Sequence, residues 1–265
     1  MVTRRIVIIG RGLIGGSIEL ALGRLDPRPD VIALDRNDSL TAATGADLIV
    51  LAAPISENIR ILAVLASHVP GEALVTDTGS TKQTTVAAAE ALPPRLRFIG
   101  GHPVAGAATS GREAAAAQLF ERRPWILTPT GHSRAEDLSA LSALIESLGA
   151  VVHAMDAAEH DRVLAYVSHL PQLTVSALLH AVGNAVGETG LTVAGAGLRD
   201  STRLAGSPAS LWADIAASNR DQIDAALDRL IATLQQLRDQ KDEALPRIFR
   251  EAARWKQVLD QGDHR

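Results

Sequence analysis

The chain has 265 residues, of which 46% are hydrophobic and 21% are charged, and its formal net charge at pH 7 is −4. This composition is typical of a globular protein with a substantial core, and the length suits one large domain or two of ordinary size. The weak negative charge and the lack of any apolar run near the roughly 20 residues of a membrane span argue against nucleic acid and membranes as partners. The sequence contains no cysteine, which excludes disulfides, thiolate metal sites and a cysteine nucleophile, and fits a cytoplasmic location.

The first half of the chain alternates short β-branched runs with helical periodicity, as in a parallel sheet with crossover helices. The predicted strands are Arg5–Ile9, Val31–Asp35, Leu48–Ala53, Ala73–Asp77, Arg97–Ile99, Trp125–Thr128 and Val151–Ala154. The helices predicted between them are Leu13–Arg24, Glu57–Ser67, Thr81–Ala91 and Arg134–Leu148. This alternation predicts an α/β fold of the Rossmann type.

From Met155 onward the strand-like runs end and long segments rich in Ala and Leu follow. The predicted helices of this half are Ala157–Val182, Ser210–Ala217, Asn219–Arg238 and Asp242–Leu259, with a Gly-rich, loop-like connection at Gly183–Gly197. We therefore predict a Rossmann-type nucleotide-binding domain at residues 1–155 and an all-α helical domain at residues 156–265. A domain of this size buries only about 60–65% of its surface unaided. Since two-fold pairing is the commonest way to cover the rest, we expect a homodimer formed through the helical domain.

A glycine-rich segment follows the first predicted strand and opens the first predicted helix. In dinucleotide-binding folds the first glycine of such a segment permits a tight turn, the second lets a pyrophosphate approach and the third allows close helix–strand packing. The helix N-terminus then holds the phosphates through its free N–H groups and its dipole. A glycine-rich turn without a ligand is the plainer interpretation, but the position between strand and helix favours a nucleotide site. Its expected residues are Gly10, Gly12, Leu13, Ile14 and Gly15.

The residues after the second and third strands indicate which dinucleotide binds. Asp35, about 20 residues after the last glycine, would accept hydrogen bonds from the ribose hydroxyls and repel the 2′-phosphate of NADP. Arg36 could instead bind that phosphate, so NAD is the predicted cofactor and NADP stays possible. Ala53 and Pro54 are expected to complete the pocket. About a dozen residues separate Asp35 from Leu48, too few for a crossover helix and an extra strand. The adenine side of the pocket should therefore have a smaller wall and be more open than in most such domains.

Polar side chains stand where strands of the predicted sheet end and within the helical half. In open α/β sheets the ligand lies outside the carboxyl ends of the strands, so Ser80, Lys82 and His102 could meet one substrate there. Each also has a plainer interpretation. Ser80 could cap the following helix, His102 could be a loop histidine, His169 a hydrogen-bonded core histidine and Arg203 a surface arginine.

Taken together, these segments resemble the prephenate/arogenate (cyclohexadienyl) dehydrogenase family, in the right order and over nearly the whole chain. The segments that carry the resemblance are Gly12–Ser17, Asp77–Lys82, Gly101–Gly106, Ser110-Gly111, Leu119-Phe120, Glu159-His160-Asp161, Ser168–Pro171, Thr202-Arg203, and Leu211–Ile215 with Asn219. The HPxAG and SHLP sequences at this spacing are much more specific than the glycine segment.

The resemblance implies an oxidoreductase of tyrosine biosynthesis, an aromatic amino acid pathway. Hydride transfer from C4 of prephenate to NAD, with loss of the ring carboxylate as CO₂, gives 4-hydroxyphenylpyruvate. By resemblance, His102 accepts the proton of the C4 hydroxyl and Ser80 helps to orient that hydroxyl. A neutral imidazole suits this task near pH 7. No metal is expected, because aromatisation drives the reaction.

The resemblance also assigns residues to the two carboxylates of the substrate. Arg203 matches the family's carboxylate-binding arginine, whose planar fork suits a carboxylate. His169 and Lys82 match accessory substrate contacts. Asp200 and Trp212 match positions that reach toward the partner subunit's site in a dimer.

Three alternatives stay open on the sequence. Many family members have Thr-Glu after the HPxAG segment, where this chain has Ala107-Ala108, so arogenate or amino-deoxyprephenate could replace prephenate as substrate. A β-hydroxyacid dehydrogenase would need a lysine on a helix of its second domain, and the lysines here are Lys82, Lys241 and Lys256. A dinucleotide-binding sensor without activity would be expected to lack His102 or Ser80.

Overall fold

The computed structural model describes residues 4–105 and 111–262. Outside the described residues lie Gly106, Ala107, Ala108 and Ser110.

Seven strands form one sheet in the order β2-β1-β3-β4-β5-β6-β7. Their bounds are β1 Arg5–Ile9, β2 Asp30–Leu34, β3 Leu48–Leu51, β4 Ala73–Asp77, β5 Leu96–Pro103, β6 Pro124–Thr128 and β7 Val151–Ala154. Neighbouring strands pair in parallel except β5 and β6, which are antiparallel. The carboxyl ends of β1 to β5 therefore share one edge of the sheet, where ligands of open α/β sheets bind.

Burial of the sheet on both faces explains its sequence pattern. Ile6 and Ile8 of β1 belong to one hydrophobic cluster, while Val7 and Ile9 belong to another. Successive side chains of a strand point to opposite faces, so a doubly covered strand needs an unbroken apolar run. The predicted Rossmann-type class is confirmed by this sheet and by the helices that follow it.

Ten α-helices accompany the sheet in the described parts of the chain. Their bounds are α1 Leu13–Leu22, α2 Ile55–His68, α3 Gln83–Ala89, α4 Ala135–Ser147, α5 Ala157–Leu164, α6 Leu170–Leu191, α7 Ala196–Ser201, α8 Ala209–Ser218, α9 Arg220–Asp239 and α10 Lys241–Gly262. A π-helical turn, Ala165–His169, joins α5 to α6. None of the described helices combines the length and the hydropathy that crossing a membrane requires.

The chain divides by its internal contacts into two compact units, Met1–Arg220 and Asp221–Arg265. The first holds the whole sheet and α1 to α8. The second holds α10 and nearly all of α9, and its α10 exposes large apolar side chains at Phe249 (64%), Trp255 (62%) and Leu259 (69%). A domain boundary at residue 155 stays a prediction, although every described element after β7 is helical.

Two predicted segments were wrong in their extent. The strand predicted at Arg97–Ile99 continues to Pro103, because residues from Gly100 onward pair with the antiparallel β6. His102 therefore lies in a strand and is not a loop histidine. The loop predicted at Gly183–Gly197 is mostly helix, since α6 runs to Leu191 with one non-helical residue, Gly187 (φ 65°).

The connection between β2 and β3 is as short as predicted. Only a 3-10 helix, Leu40–Ala43, occupies the place of a crossover helix. After Thr44 the chain leads to β3 without forming a further strand. β2 is therefore the edge strand of the sheet on this side.

Candidate active site

The glycines between β1 and α1 each meet a different steric requirement. Gly10 has φ +114°, and a Cβ there would lie 2.5 Å from the carbonyl oxygen of Ala52. A Cβ on Gly15 would lie 1.9 Å from the carbonyl oxygen of Gly10, so close packing of α1 on the turn excludes any side chain. A Cβ on Gly12 would meet no atom within 4 Å, which leaves its backbone open to a ligand.

A cavity of about 480 Å³ opens in front of this turn. The predicted cofactor residues that line it are Gly10, Gly12, Asp35, Arg36, Ala53 and Pro54. Leu13, Ile14 and Gly15 form the first turn of α1 beside it. The cavity lies at the carboxyl ends of β1, β2 and β3, where a dinucleotide-binding fold holds its cofactor.

Two local networks shape the walls of this cavity. The backbone N–H of Asp35 donates to Oδ2 of Asp38 at 2.7 Å, and the N–H of Arg36 donates to Oδ1 of Asp35 at 2.7 Å. On the other wall the buried Asn58 accepts from the N–H of Ala53 at 3.2 Å. The role of Asn58 was not predicted, since an asparagine inside an apolar helix carries no local signal of its role.

Three buried side chains form a hydrogen-bonded relay that ends on His102. His102 Nδ1 lies 2.8 Å from His160 Nε2, and His160 Nδ1 lies 2.8 Å from Oδ1 of Asp161. A carboxylate can only accept, so His160 carries its proton on Nδ1 and accepts at Nε2. His102 must then donate from Nδ1, which leaves the lone pair on its Nε2. The relay therefore presents His102 as a proton acceptor.

Asp161 also caps the N-terminus of α3. Its Oδ1 accepts from the N–H of Lys82 at 2.7 Å and its Oδ2 from the N–H of Gln83 at 2.9 Å. An acidic side chain at this position satisfies free helix N–H groups and matches the helix dipole. Ser80 is therefore not the helix cap. It is half-buried, and its Oγ makes no hydrogen bond to any described residue.

Lys82 lies wholly inside the fold, at 0% exposure. Its ammonium is bound to Asp77 and donates to the carbonyl oxygen of Gly101 at 2.7 Å. Asp77 also accepts from the N–H groups of Gly79 at 2.8 Å and Gly101 at 3.1 Å. Two of the three N–H donors of the ammonium are thus bound inside the fold, and the substrate contact of Lys82 stays a prediction.

His169 stands at the end of the π-helical turn, which widens the helix at this point, a feature common at functional sites. Asn219 Nδ2 donates to the carbonyl oxygen of Asp161 at 2.8 Å and also lies 3.3 Å from Nδ1 of His169. His169 Nδ1 is thus the acceptor and Nε2 carries the proton. That buried Nε2 and the Nε1 of Trp212 have no described partner, and the two rings are 6.0 Å apart. Two unpartnered N–H donors so close together suit an oxygen of a carboxylate or carbonyl group.

Burial keeps the three histidines uncharged. It lowers the pKa of His102 well below its ordinary value of 6.5, and the Lys82 ammonium lowers that pKa further. Burial also lowers the pKa of His160, against the opposing effect of its hydrogen bond to Asp161. The pKa of His169 falls to about 4, again through burial. At neutral pH, His102 can therefore accept a proton and His169 can donate a neutral N–H.

Two predicted substrate residues make no described side-chain hydrogen bond to this cluster. Arg203, at the start of a 3-10 helix, and Asp200, on α7, are exposed, and their side chains make no hydrogen bond or ion pair with any described residue. The roles of His160, Asp161 and Asp77 were not predicted, and the sole signal was their presence in segments that carry the resemblance. No group of three or more acidic or histidine side chains in the described ranges could hold a metal ion.

The fold and the site define a dinucleotide-binding α/β protein with a buried histidine arranged to take a proton. Two family models match the chain: "Prephenate dehydrogenase, nucleotide-binding domain" at residues 29–154 and "Prephenate dehydrogenase, dimerization domain" at residues 156–251. The chain belongs to the prephenate dehydrogenase family, which confirms the resemblance. This is a family of enzymes, so the chain is neither a sensor without activity nor a β-hydroxyacid dehydrogenase.

Individual relatives agree with this assignment. The prephenate dehydrogenase of Bacillus subtilis is 34% identical over 96% of this chain and 76% of its own. The structure of the Aquifex aeolicus prephenate dehydrogenase with hydroxyphenyl propionate and NAD⁺ is 26% identical, with a TM-score of 0.86 over 98% of this chain and 99% of its own. The Synechocystis arogenate dehydrogenase is 27% identical, with a TM-score of 0.80 over 96% and 99% of the two chains.

Proposed function

We propose that the protein oxidises prephenate with NAD and releases CO₂, giving 4-hydroxyphenylpyruvate for tyrosine biosynthesis. The observation that carries the proposal is the relay from Asp161 through His160 to His102, which leaves a lone pair on His102 Nε2. A base at this atom is what oxidation of a ring hydroxyl requires, because hydride leaves most easily while the hydroxyl proton is withdrawn.

The residues around the glycine turn fit NAD. Gly12 leaves its backbone open, the N-terminus of α1 faces the turn, and Asp35 lines the cavity at the end of β2. When bound, the nicotinamide ring supplies the hydride acceptor. The chain's own contribution is to bind the pyrophosphate at the helix N-terminus and the ribose at Asp35.

The proton follows a closed path in this proposal. His102 Nε2 accepts it from the C4 hydroxyl as hydride leaves C4 and a carbonyl forms. The bond from the ring to its carboxylate then breaks, CO₂ leaves, and the electron pair makes the ring aromatic with negative charge on the oxygen. His102 returns the proton to that phenolate oxygen, so no net proton is released. His160 and Asp161 stabilise the transient cation on His102. Ser80, whose Oγ has no described partner, is proposed to orient the hydroxyl.

The substrate's carboxylates need donors, and the described residues offer two kinds. The unpartnered N–H groups of His169 and Trp212 support a site for one oxygen-bearing group. Arg203 is exposed and unpaired among the described residues, which supports its proposed role as the cation for a carboxylate. Asp200 is proposed to act near the site of a partner subunit, whereas Trp212 is proposed to act beside His169 of its own subunit.

A homodimer formed through the helical half is part of the proposal. It is supported by the match of residues 156–251 to a dimerization domain and by the exposed apolar side chains of α10. Such obligate interfaces are apolar and bury on the order of 2,000 Å² or more. Sedimentation at micromolar concentration tests this, and a fully active monomer would refute it. The cytoplasmic location stays a prediction from the sequence.

Steady-state kinetics with purified protein test the activity. We expect NADH and 4-hydroxyphenylpyruvate to form from prephenate in equal amounts, with NAD preferred to NADP. Arogenate assayed in parallel decides between the two substrates. If the protein binds NAD but turns over neither compound, the proposed function is wrong.

A further inference from the structure

We propose that the buried Lys82–Asp77 ion pair is a positioning device that holds the backbone at Gly101, and through it the ring of His102, in the place where it accepts a proton. The inference rests on the proposed function of His102. It assigns Lys82 a role other than the substrate contact that the resemblance implies.

The hydrogen bonding of β5 shows why such a device is needed. The N–H of Val104 donates to the carbonyl oxygen of Pro124 on β6. Because alternate residues of an antiparallel pair face the neighbouring strand, Gly101 turns its N–H and C=O away from β6, toward β4. The pairing of β4 with β5 ends at Thr76 and Ile99, so no backbone group of β4 pairs with Gly101.

The ion pair supplies both missing partners. Oδ1 of Asp77 accepts from the N–H of Gly101 at 3.1 Å, and the ammonium of Lys82 donates to its carbonyl oxygen at 2.7 Å. Both charged side chains are 0% exposed. Buried backbone groups without partners cost free energy, so the pair secures the residue that directly precedes His102.

The glycines at 100 and 101 make room for this arrangement. A Cβ on Gly101 would lie 2.6 Å from the carbonyl oxygen of Asp77. A Cβ on Gly100 would lie 2.3 Å from Oγ1 of Thr128 and 3.4 Å from Cδ of Lys82. The strand thus passes close to both members of the pair, where any larger residue would push it away.

The ammonium of Lys82 also acts electrostatically on the relay. The titratable groups that act on His102 are His160 from α5, Lys82 from the start of α3 and His169 from the π-helical turn. Asp77 and Asp161 face Lys82 in turn. Since the Lys82 charge lowers the pKa of His102, removing it should raise that pKa toward the ordinary value.

The test is the double variant Asp77→Asn/Lys82→Met, which removes both charges and leaves neither one buried without a partner. We expect kcat to fall roughly 10- to 100-fold, the effect of a small misplacement of a reacting group. The KM for prephenate and the Kd for NAD should stay within about twofold of wild type, and the acid limb of the kcat profile should move to higher pH. Lys256→Met, at an exposed lysine, is the matched control and should behave as wild type.

Other outcomes separate the possibilities. A raised KM for prephenate with kcat retained would make Lys82 a substrate contact, and unchanged kcat, KM and pH profile would remove any role in positioning; either overturns the inference. If the double variant does not fold by circular dichroism, Asp77→Asn alone must lower kcat with KM retained, or the inference fails. A wild-type enzyme inactive on prephenate and arogenate would instead refute the proposed function.

Discussion

Nδ1 of His102 lies 2.8 Å from Nε2 of His160, with the two rings edge to face and their centroids 5.0 Å apart. Once a carboxylate fixes which nitrogen of one ring carries the proton, two neutral imidazoles can share such a bond in only one combination of tautomers. Asp161 fixes that end, so the direction of every proton in the relay follows from a single acid. The tautomer of His102, the proposed catalytic base, is therefore set by Asp161 through His160.

His102→Asn should lower kcat by roughly 10²–10⁴-fold, the usual contribution of a general base. The Kd for NAD should change little, because His102 does not line the nucleotide cavity. His153→Asn, at an exposed histidine on β7, is the control and should retain activity. Steady-state kinetics and NAD titration measure both effects, and a near wild-type kcat for His102→Asn would remove it from the mechanism.

The pH profile of kcat should have its acid limb below pH 6.5. Proton acceptance requires neutral His102, and burial lowers the pKa of His102 well below its ordinary value. Activity is therefore retained from pH 8 down through 6.5 and is lost only as the pH falls through that lowered pKa. The measurement needs a substrate isotope effect to show that hydride transfer limits kcat. A limb at or above 6.5 would contradict the neutral, buried state of His102.

His160→Phe and Asp161→Asn should separate the effect of the relay on activity from the effect of the Asp161 cap on stability. His160→Phe removes the acceptor for His102 and should lower kcat roughly 10- to 100-fold, as expected for a charge-assisted bond of about 1.5–3 kcal/mol. Asp161→Asn should lower kcat similarly and also destabilise the fold by about 0.5–2 kcal/mol, because the α3 cap is weakened. Kinetics and thermal melts report the two effects. If Asp161→Asn melts at the same temperature as wild type, Asp161 does not support α3.

Arg203→Ala should chiefly raise the KM for prephenate. A charge-assisted bond to a carboxylate contributes roughly 1.5–3 kcal/mol, which corresponds to about a 10- to 100-fold change. Arg199→Ala, at an exposed arginine on the preceding helix α7, is the matched control. If the KM for NAD rises and that for prephenate does not, Arg203 serves another site.

Asp35→Ser should narrow the preference for NAD over NADP. The carboxylate repels the 2′-phosphate, and Arg36 beside it would then attract that phosphate unopposed. The control is Asp30→Ser at the other end of β2, whose carboxylate is 3.9 Å from Arg5. The ratio of kcat/KM for the two cofactors is the readout. A wild-type enzyme that already prefers NADP would show that Arg36 outweighs Asp35.

The sequence predicted the parts of the molecule whose signals are local. Strands such as Arg5–Ile9 and Ala73–Asp77 match to the residue, because a doubly buried strand is a plain apolar run. The end of β5 was missed because Gly100 and Gly101 lack strand propensity, and their pairing partners on β6 lie more than twenty positions away.

The hydrogen bonds inside the site could not be predicted for a related reason. Nothing near Ser80 in sequence shows that Asp161 caps the helix instead, since the two are joined only by folding. Likewise, the burial of Lys82 depends on Asp77 and on Gly101 together. Resemblance located these residues in the right segments, but only the packing revealed what each side chain binds.

Asp161 both caps α3 and fixes the tautomer of His102, and this has a consequence for the growing polypeptide. Its carboxylate binds backbone groups that lie 79 and 78 positions earlier in the chain. Since domains fold in the order of synthesis, the strands around His102 can assemble on the ribosome before Asp161 has emerged. Until then α3 lacks its cap and His102 lacks the neighbour that fixes its tautomer. We therefore expect the nascent protein to gain the strands around His102 first, and the tautomer that lets His102 accept a proton only once Asp161 has joined them.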